Sequence, residues 1–592
     1  MKKMKLHKII NLSLCFGISL ILGACGGGSA GSGSSDGSGA ATLFTLGGSI
    51  SGLNAGNQVT FQVVLSNGTN SQDSTSTATV SSNGTFATPP LVPANGSYVV
   101  LVTNQPAGQT CTVTNAAGNN VTANVTNLNV VCSATVFTVS GVVTGLLPGQ
   151  EVTLLNNYAN PLVVNGNAAF TFTTPVALGS GYFVTVSDAP LMTTCTVNQG
   201  AGLNVSADIT TVNVSCGVSD SVLYSFTGYP DAYGPTVGLV QGSNGNFYGT
   251  TGLGGTYANG TGRGAIFEIT PAGAESILHS FTGSGSPIDG ACPQASLLQL
   301  SNGSFYGTTC IGGANDLGTV FSVNSDGTES ILWSFGSGTD GQNSYGALIL
   351  GSDGNLYGTN PYGGAHGTGS VFKIAPGGGT GSESVLYSFA ASSADGHFPH
   401  AGLILGADKN FYGTTYGGGT YGAGTVFRLT PGGAETVLVN FGSTSTDGNM
   451  ATPTTSIEPA ATLVQYSDGN FYGTTPSGGT YNNGTVYMIT PGGVKTQLYS
   501  FASGAGDGQT PQAGLLLAND GNFYGTTVSG GANNKGTVFK ITPAGVETLM
   551  YSFGGTGDGA NPYAPLIQAA DGHLYVPTDN GGVSGVGAVV KF

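Results

Sequence analysis

The sequence predicts an all-β chain: a C-terminal seven-bladed β-propeller preceded by two immunoglobulin-like β-sandwich modules. Three observations lead there. Charged residues are only 7% of the 592 positions and Gly accounts for 103, whereas ordinary soluble domains are about 25% charged. Runs of Ala, Leu, Glu, Lys and Arg, which helices need, are missing beyond the first 25 residues. From residue 221 onward the phrase Phe-Tyr-Gly-Thr-Thr recurs at a period of about 52 residues. Upstream, two cysteine pairs stand at equal spacing inside two similar segments. With 39% hydrophobic and 9% aromatic residues the chain can build cores, which excludes disorder. Acids outnumber bases 28 to 12, which excludes a nucleic-acid partner.

The first element is an export signal. Lys2, Lys3, Lys5 and Lys8 precede an apolar stretch from Ile9 to Leu22, the length of a signal-peptide core and short for a membrane span. It ends Leu22-Gly23-Ala24-Cys25, which resembles a bacterial lipobox. That resemblance implies removal of residues 1–24 and lipidation of Cys25, and Gly26, in place of Asp, favours the outer membrane. Cleavage would take the formal charge from −16 to −20, so the lipid alone would hold the chain to a membrane. Residues 25–41 then read as the lipidated cysteine and a Gly/Ser tether.

Residues 42–134 and 135–218 read as two copies of one module. Gln109–Cys132 parallels Thr193–Cys216, and Ser51–Phe61 parallels Thr144–Leu154. Alternating runs of Val, Thr and Phe between Gly, Asn and Pro turns suggest short strands in a sandwich. The spacing predicts Cys111–Cys132 and Cys195–Cys216 disulfides, and Cys292 with Cys310 as a third. No CxxC or nearby His supports zinc at the first two pairs. A stalk is the expected role of these modules.

Residues 219–592 carry the repeat. FYGTT begins at Phe247, Phe305, Phe411, Phe471 and Phe523, with variants at Leu356 and Leu574, making seven units. Each unit offers four short strands, here a to d: an apolar run, the FYGTT strand, a strand such as that around Phe427, and one such as that ending at Phe441. The region opens with a lone d-type strand at 221–226 and ends at Phe592 after a, b and c only, so the first strand is expected to complete the last blade. Closure would remove sheet edges. The Gly after each FY pair is expected to permit close approach. Glu275, Glu329, Glu383, Glu435 and Glu547 share one position, which Lys495 takes between Glu435 and Glu547, and read as turn or edge charges.

The pattern DGNFYGTT…GG…GTVFKITP…ET.LYSF resembles the GloVer tandem-repeat family of exported bacterial proteins. The resemblance covers roughly residues 221–592. It implies a surface or extracellular location and brings no activity, substrate or catalytic residue.

The longer b–c and d–a loops are expected on one face, where binding on a rigid scaffold usually resides. Asp289, Asp340, Asp395, Asp447, Asp507 and Asp558 precede Gly in d–a loops, with Asp231 in the first. They could ring the channel mouth for calcium or cationic groups, or serve as turn residues. Asp395, His397 and His400 are the candidate metal ligands. Tyr257, Tyr362, Tyr416, Tyr421 and Tyr481 could stack on sugars or pack their loops. No Gly-x-Ser-x-Gly, HExxH or phosphate-cradling loop appears, and no catalytic residue or resident cofactor is assigned. The expected function is non-enzymatic glycan or protein adhesion by a monomeric envelope lipoprotein. A polysaccharide lyase or hydrolase acting at the channel mouth, and a structural scaffold, are the alternatives.

Overall fold

The computed structural model describes residues 42–66, 74–256, 262–283, 289–336, 339–377, 383–389, 394–444, 447, 461–502, 506–555 and 557–592. The signal segment, Cys25, the tether and Tyr257 lie outside these residues. All regular structure among the described residues is β, with no helix. The chain divides into two compact units, residues 1–135 and 136–592.

The first unit holds two four-stranded sheets. One has the order Gly84–Pro93, Leu43–Ser51, Val125–Ala134, Gln109–Thr114; the other Ser74–Val80, Val59–Ser66, Ser97–Asn104, Ala117–Gly118. Alternation puts Val59, Phe61, Val63 and Leu65 on one face, and they pack against Leu46, Ile50 and Val130 of the other sheet. The Cys111–Cys132 disulfide joins directly opposed residues of neighbouring strands. It therefore staples one layer rather than bridging the two.

The second unit begins with the same arrangement, from Val139–Thr144 to Ile209–Val218, and with the matching Cys195–Cys216 disulfide. Its loop residues Leu147, Leu191 and Met192 pack with Val222, Tyr551 and Phe592 of the repeat region.

Each repeat folds into one antiparallel sheet in the order a-b-c-d. In the fourth the strands are Ile404–Leu405, Phe411–Thr415, Thr425–Leu429 and Glu435–Asn440. Seven such sheets occur among the described residues. In the seventh, Ser221–Ser225 pairs with Ala588–Lys591 and occupies the place of strand d.

The repeated phrase has a local cause. Asp408 Oδ1 accepts the backbone N–H of Asn410, and its Oδ2 accepts the Tyr412 hydroxyl at 2.8 Å. Asp353, Asp468, Asp520 and Asp571 do the same for Tyr357, Tyr472, Tyr524 and Tyr575. One carboxylate thus sets the turn and anchors the tyrosine that follows. The FYGTT strand is buried at all five positions. A Cβ on Gly413 would sit 2.6 Å from the Phe427 ring, so this glycine makes room for the neighbouring strand's phenylalanine. Rings then couple sheet to sheet: Tyr412 to Phe471 at 4.1 Å, Phe389 to Phe427 at 5.1 Å and, between the last sheet and the first, Tyr575 to Phe247 at 4.3 Å.

The expected Cys292–Cys310 bridge is not formed; both are free thiols. The two side chains lie within hydrogen-bond reach of each other without a covalent bond. Cys292 occupies a corner of the d–a loop that is left-handed in unit after unit, before proline in all of these but Asn343: φ is 57° at Cys292, 56° at Asn343, 58° at Phe398 and Thr510, and 53° at Asn561. Its backbone there is set by the corner, and its carbonyl accepts the N–H of Cys310 at 3.1 Å. The same corner yields a prediction. Threonine is poorly suited to positive φ, whereas Asn343 and Asn561 also donate to the carbonyls of Cys310 and Val528. Thr510→Asn is expected to stabilise the fold by about 1 kcal/mol, measured by denaturant melts. No gain would refute strain at this corner.

Candidate functional site

Short ladders tie the two longer loops of a unit together. Gly396–His397 pairs with Gly417–Gly418, Gly341–Gln342 with Tyr362–Gly363, and Gly508–Gln509 with Ser529–Gly530. The d–a and b–c loops therefore emerge on one side. At the centre lies a cavity of about 60 Å³, lined by the short run preceding strand a in all seven units. Thr236, Gln294, Tyr345, His400, Gln512 and Tyr563 take the same repeat position and line it. The phrase around them barely changes from unit to unit, yet these residues differ, so the cavity wall is asymmetric.

No Asp, Glu, Lys or Arg lines this cavity. His400 and Gln512 are each 7% exposed, and His400 Nδ1 and Gln512 Oε1 are buried without a hydrogen-bond partner. Burial pushes the His400 imidazole down to about 4, so the ring is neutral at pH 7. His400 stacks on Tyr345 at 5.5 Å and lies 5.6 Å from Tyr416 and 6.4 Å from Tyr362, which in turn touches Phe398 at 5.6 Å. Two of the tyrosines expected from sequence, Tyr362 and Tyr416, thus converge on His400. Tyr421 and Tyr481 are apart from this cluster, 55% and 54% exposed.

The expected Asp395–His397–His400 metal set is not assembled: their ligand atoms do not form such a group. Asp395 is turned into the fold. Its Oδ2 accepts the Tyr387 hydroxyl at 2.9 Å and its Oδ1 the Gly396 N–H at 2.7 Å, while His400 is enclosed by aromatic rings.

The other d–a loop aspartates face the same way. Asp231, Asp289, Asp340, Asp507 and Asp558 are 5–9% exposed, and none lines the central cavity. They belong to an interlock between consecutive sheets. Tyr224 donates to Asp231 at 3.0 Å and to Glu275 at 3.4 Å. Trp333 Nε1 donates to Asp340 at 3.1 Å, and Tyr499 and Tyr551 to Asp507 and Asp558 at 3.0 Å. The repeated glutamates are not edge charges. Glu275, Glu329, Glu383, Glu435 and Glu547 each bury Oε1 without a partner. Burial first, and then the neighbouring aspartate, pushes each of them up to about 7. Where the fourth sheet has Val439 instead of an aromatic donor, Lys495 of the fifth replaces the glutamate and forms an ion pair with Asp447.

Sequence reasoning missed Tyr345, Phe398, Gln512 and Tyr563. For Tyr345, Gln512 and Tyr563 the signal was variation at one repeat position, visible only when the units are aligned on the leucine that follows.

The Gloeobacter/Verrucomicrobia repeat model matches residues 261–458 and 451–592. No curated protein matches the chain. Among solved structures, it resembles the extracellular domain of a protein described as a hybrid two-component system of B. thetaiotaomicron, at 10% identity and a TM-score of 0.40 over 62% of this chain and 39% of that one. The chain thus spans about two fifths of that protein's length. A protein of unknown function from Bacteroides thetaiotaomicron gives 14% identity and a TM-score of 0.32 over 63% and 96% of the two chains. A Bacteroides uniformis protein described as a 6-phosphogluconolactonase gives 14% and 0.35 over 55% and 87%.

Proposed function

Since the chain belongs to the Gloeobacter/Verrucomicrobia repeat family, we propose that it is an exported cell-envelope protein that binds an uncharged glycan at its central cavity without cleaving it. In this reading the seven sheets are the blades of a β-propeller. The two disulfide-bonded modules are immunoglobulin-like spacers, and Cys25 carries the lipid that anchors a monomer to the outer membrane. Two disulfides support an oxidising compartment.

One observation carries the binding site: the cavity wall is where the units differ, and it holds two buried polar atoms without partners. An unmet buried hydrogen-bonding atom costs about 1–3 kcal/mol. A sugar hydroxyl could donate to Gln512 Oε1 and meet His400 Nδ1, and the flanking tyrosine faces suit the apolar side of a pyranose. The cavity is small, so it takes one hydroxyl-bearing edge of a sugar while Tyr362 and Tyr416 meet the rest. A wall without carboxylates, and a histidine too weakly basic to take a proton at pH 7, support binding over hydrolysis.

The test presents the chain from residue 26 onward to a panel of neutral and acidic polysaccharides, scoring retention and the appearance of shorter products. Retention of a neutral glycan is expected, weakened at least tenfold by Tyr345→Ala or His400→Ala. Shorter products would replace this reading with an enzyme, and retention untouched by either variant would move the site elsewhere.

A further inference from the structure

We propose that His279, Asp289 and Glu329 form a site for one divalent transition-metal ion, of which zinc is the fitting probe. They make up the interlock between the first and second sheets, where histidine stands in the place held elsewhere by tyrosine or tryptophan. One ligand atom from each lies within 4.8 Å of the others, the one such group of three among the described residues.

His279 Nδ1 faces the Gly327 carbonyl at 3.3 Å. A carbonyl only accepts, so Nδ1 bears the proton, and in the neutral ring Nε2 presents a bare lone pair. Nε2 lies 3.8 Å from Asp289 Oδ1, too far for a hydrogen bond. It is buried and unpartnered, and so is Glu329 Oε1. Once His279 and Glu329 have given up the protons that a metal ion displaces, Nε2 and two carboxylate oxygens present three lone pairs to one point. At Asp231, Asp340 and Asp395 a hydroxyl or indole N–H points at the aspartate instead, so no such ligand set forms there.

A second observation comes from the fifth sheet. There the interlock already holds a cation, the Lys495 ammonium against Asp447. The fold thus accepts positive charge beside this aspartate: Lys495 supplies it from the place of the glutamate, whereas His279, in the place of the aromatic donor, supplies a ligand. The supports of a metal ligand are present too: Thr282 donates its N–H and hydroxyl to Asp289 Oδ2 at 2.6 and 2.9 Å, and the Gly327 carbonyl orients the imidazole. One imidazole nitrogen and two carboxylates suit zinc or a neighbouring first-row ion with a remaining position open to water. Calcium and magnesium prefer oxygen alone.

Residues 42–592, freed of metal with a chelator, are titrated with zinc chloride by calorimetry at pH 7.5. One ion per chain is expected at micromolar affinity or tighter, and the thermal midpoint rises with it. His279→Tyr installs the residue that other interlocks use and so keeps the fold. It is expected to weaken zinc binding at least tenfold and to abolish the thermal shift. Calcium chloride is expected to bind at least a hundredfold more weakly than zinc. Absence of zinc binding, His279→Tyr binding as tightly as the parent, or calcium binding as tightly as zinc would each overturn the proposal.

Discussion

Removing the Lys495 ammonium is expected to cost about 3 kcal/mol, the order found when one partner of a buried ion pair is deleted. The Asp447 carboxylate is only 9% exposed and the Lys495 side chain 18%. Its ammonium also lies 4.9 Å over the Phe441 ring. Lys495→Met keeps the aliphatic stem and leaves the carboxylate without a counter-charge, so its effect reports the charge rather than lost packing. The repeat provides an internal rescue. Lys495→Glu together with Val439→Tyr recreates the aromatic donor, aspartate and glutamate of the other interlocks. The double variant is expected to recover most of the loss suffered by Lys495→Glu alone. Equilibrium denaturation of the parent, both single variants and the pair completes the cycle. Independent, additive effects would refute the interlock as a unit.

Stability of the repeat region is expected to fall as pH rises from 5 to 8. Five glutamates are pushed from 4.5 up to about 7 by burial, with the paired aspartate adding to it. Between those values the folded chain holds more protons than the unfolded one. Stability is then fully present below 4.5 and is lost through 7. The raised His279 imidazole acts with the same sign. His400, depressed to about 4, acts against it, since its contribution is lost as pH falls. One group opposes six. At about 1.4 kcal/mol per pKa unit, reduced by solvent at their partly exposed edges, the five glutamates together amount to several kcal/mol. Trp333 is the chain's one tryptophan and donates to Asp340 within an interlock, so its fluorescence reports the event directly. The melting midpoint is expected to drop by roughly 5–10 °C from pH 5 to pH 8. A flat or rising midpoint would show that the glutamates are ionised and solvated throughout.

Periodicity made the architecture readable. Each strand was present in seven copies, so FYGTT, its turn and its following loops marked the sheets without any structure. Loop length correctly suggested that the d–a and b–c loops share a face, which the Gly396–His397 to Gly417–Gly418 ladder explains. What one sequence could not display was contact between units. Val439, Asp447 and Lys495 belong to one arrangement, yet they come from different repeats, and only the fold places Lys495 against Asp447. The Asp-Gly pairs left two readings open, and burial against Tyr387 and its counterparts decides where the carboxylates point. Cys292 looked like half of a clamp because parity and export favoured a bridge, whereas its position is a turn common to the repeats. His400 reads from sequence as a metal ligand, whereas in the fold it lies against the rings of Tyr345 and Tyr416.

The strand that finishes the seventh sheet sets the order of events during synthesis. Ser221–Ser225 leaves the ribosome before any of the seven sheets exists, whereas its partner, Ala588–Lys591, is made only after the strands of the first six sheets. Until then the first sheets can mature one by one while the array stays open. The penalty for joining such distant segments grows only with the logarithm of their separation, by about 0.6 kcal/mol per doubling, so the seam is thermodynamically cheap. It is also the slowest contact to find. The free strand is the surface a chaperone must shield until Ala588–Lys591 emerges.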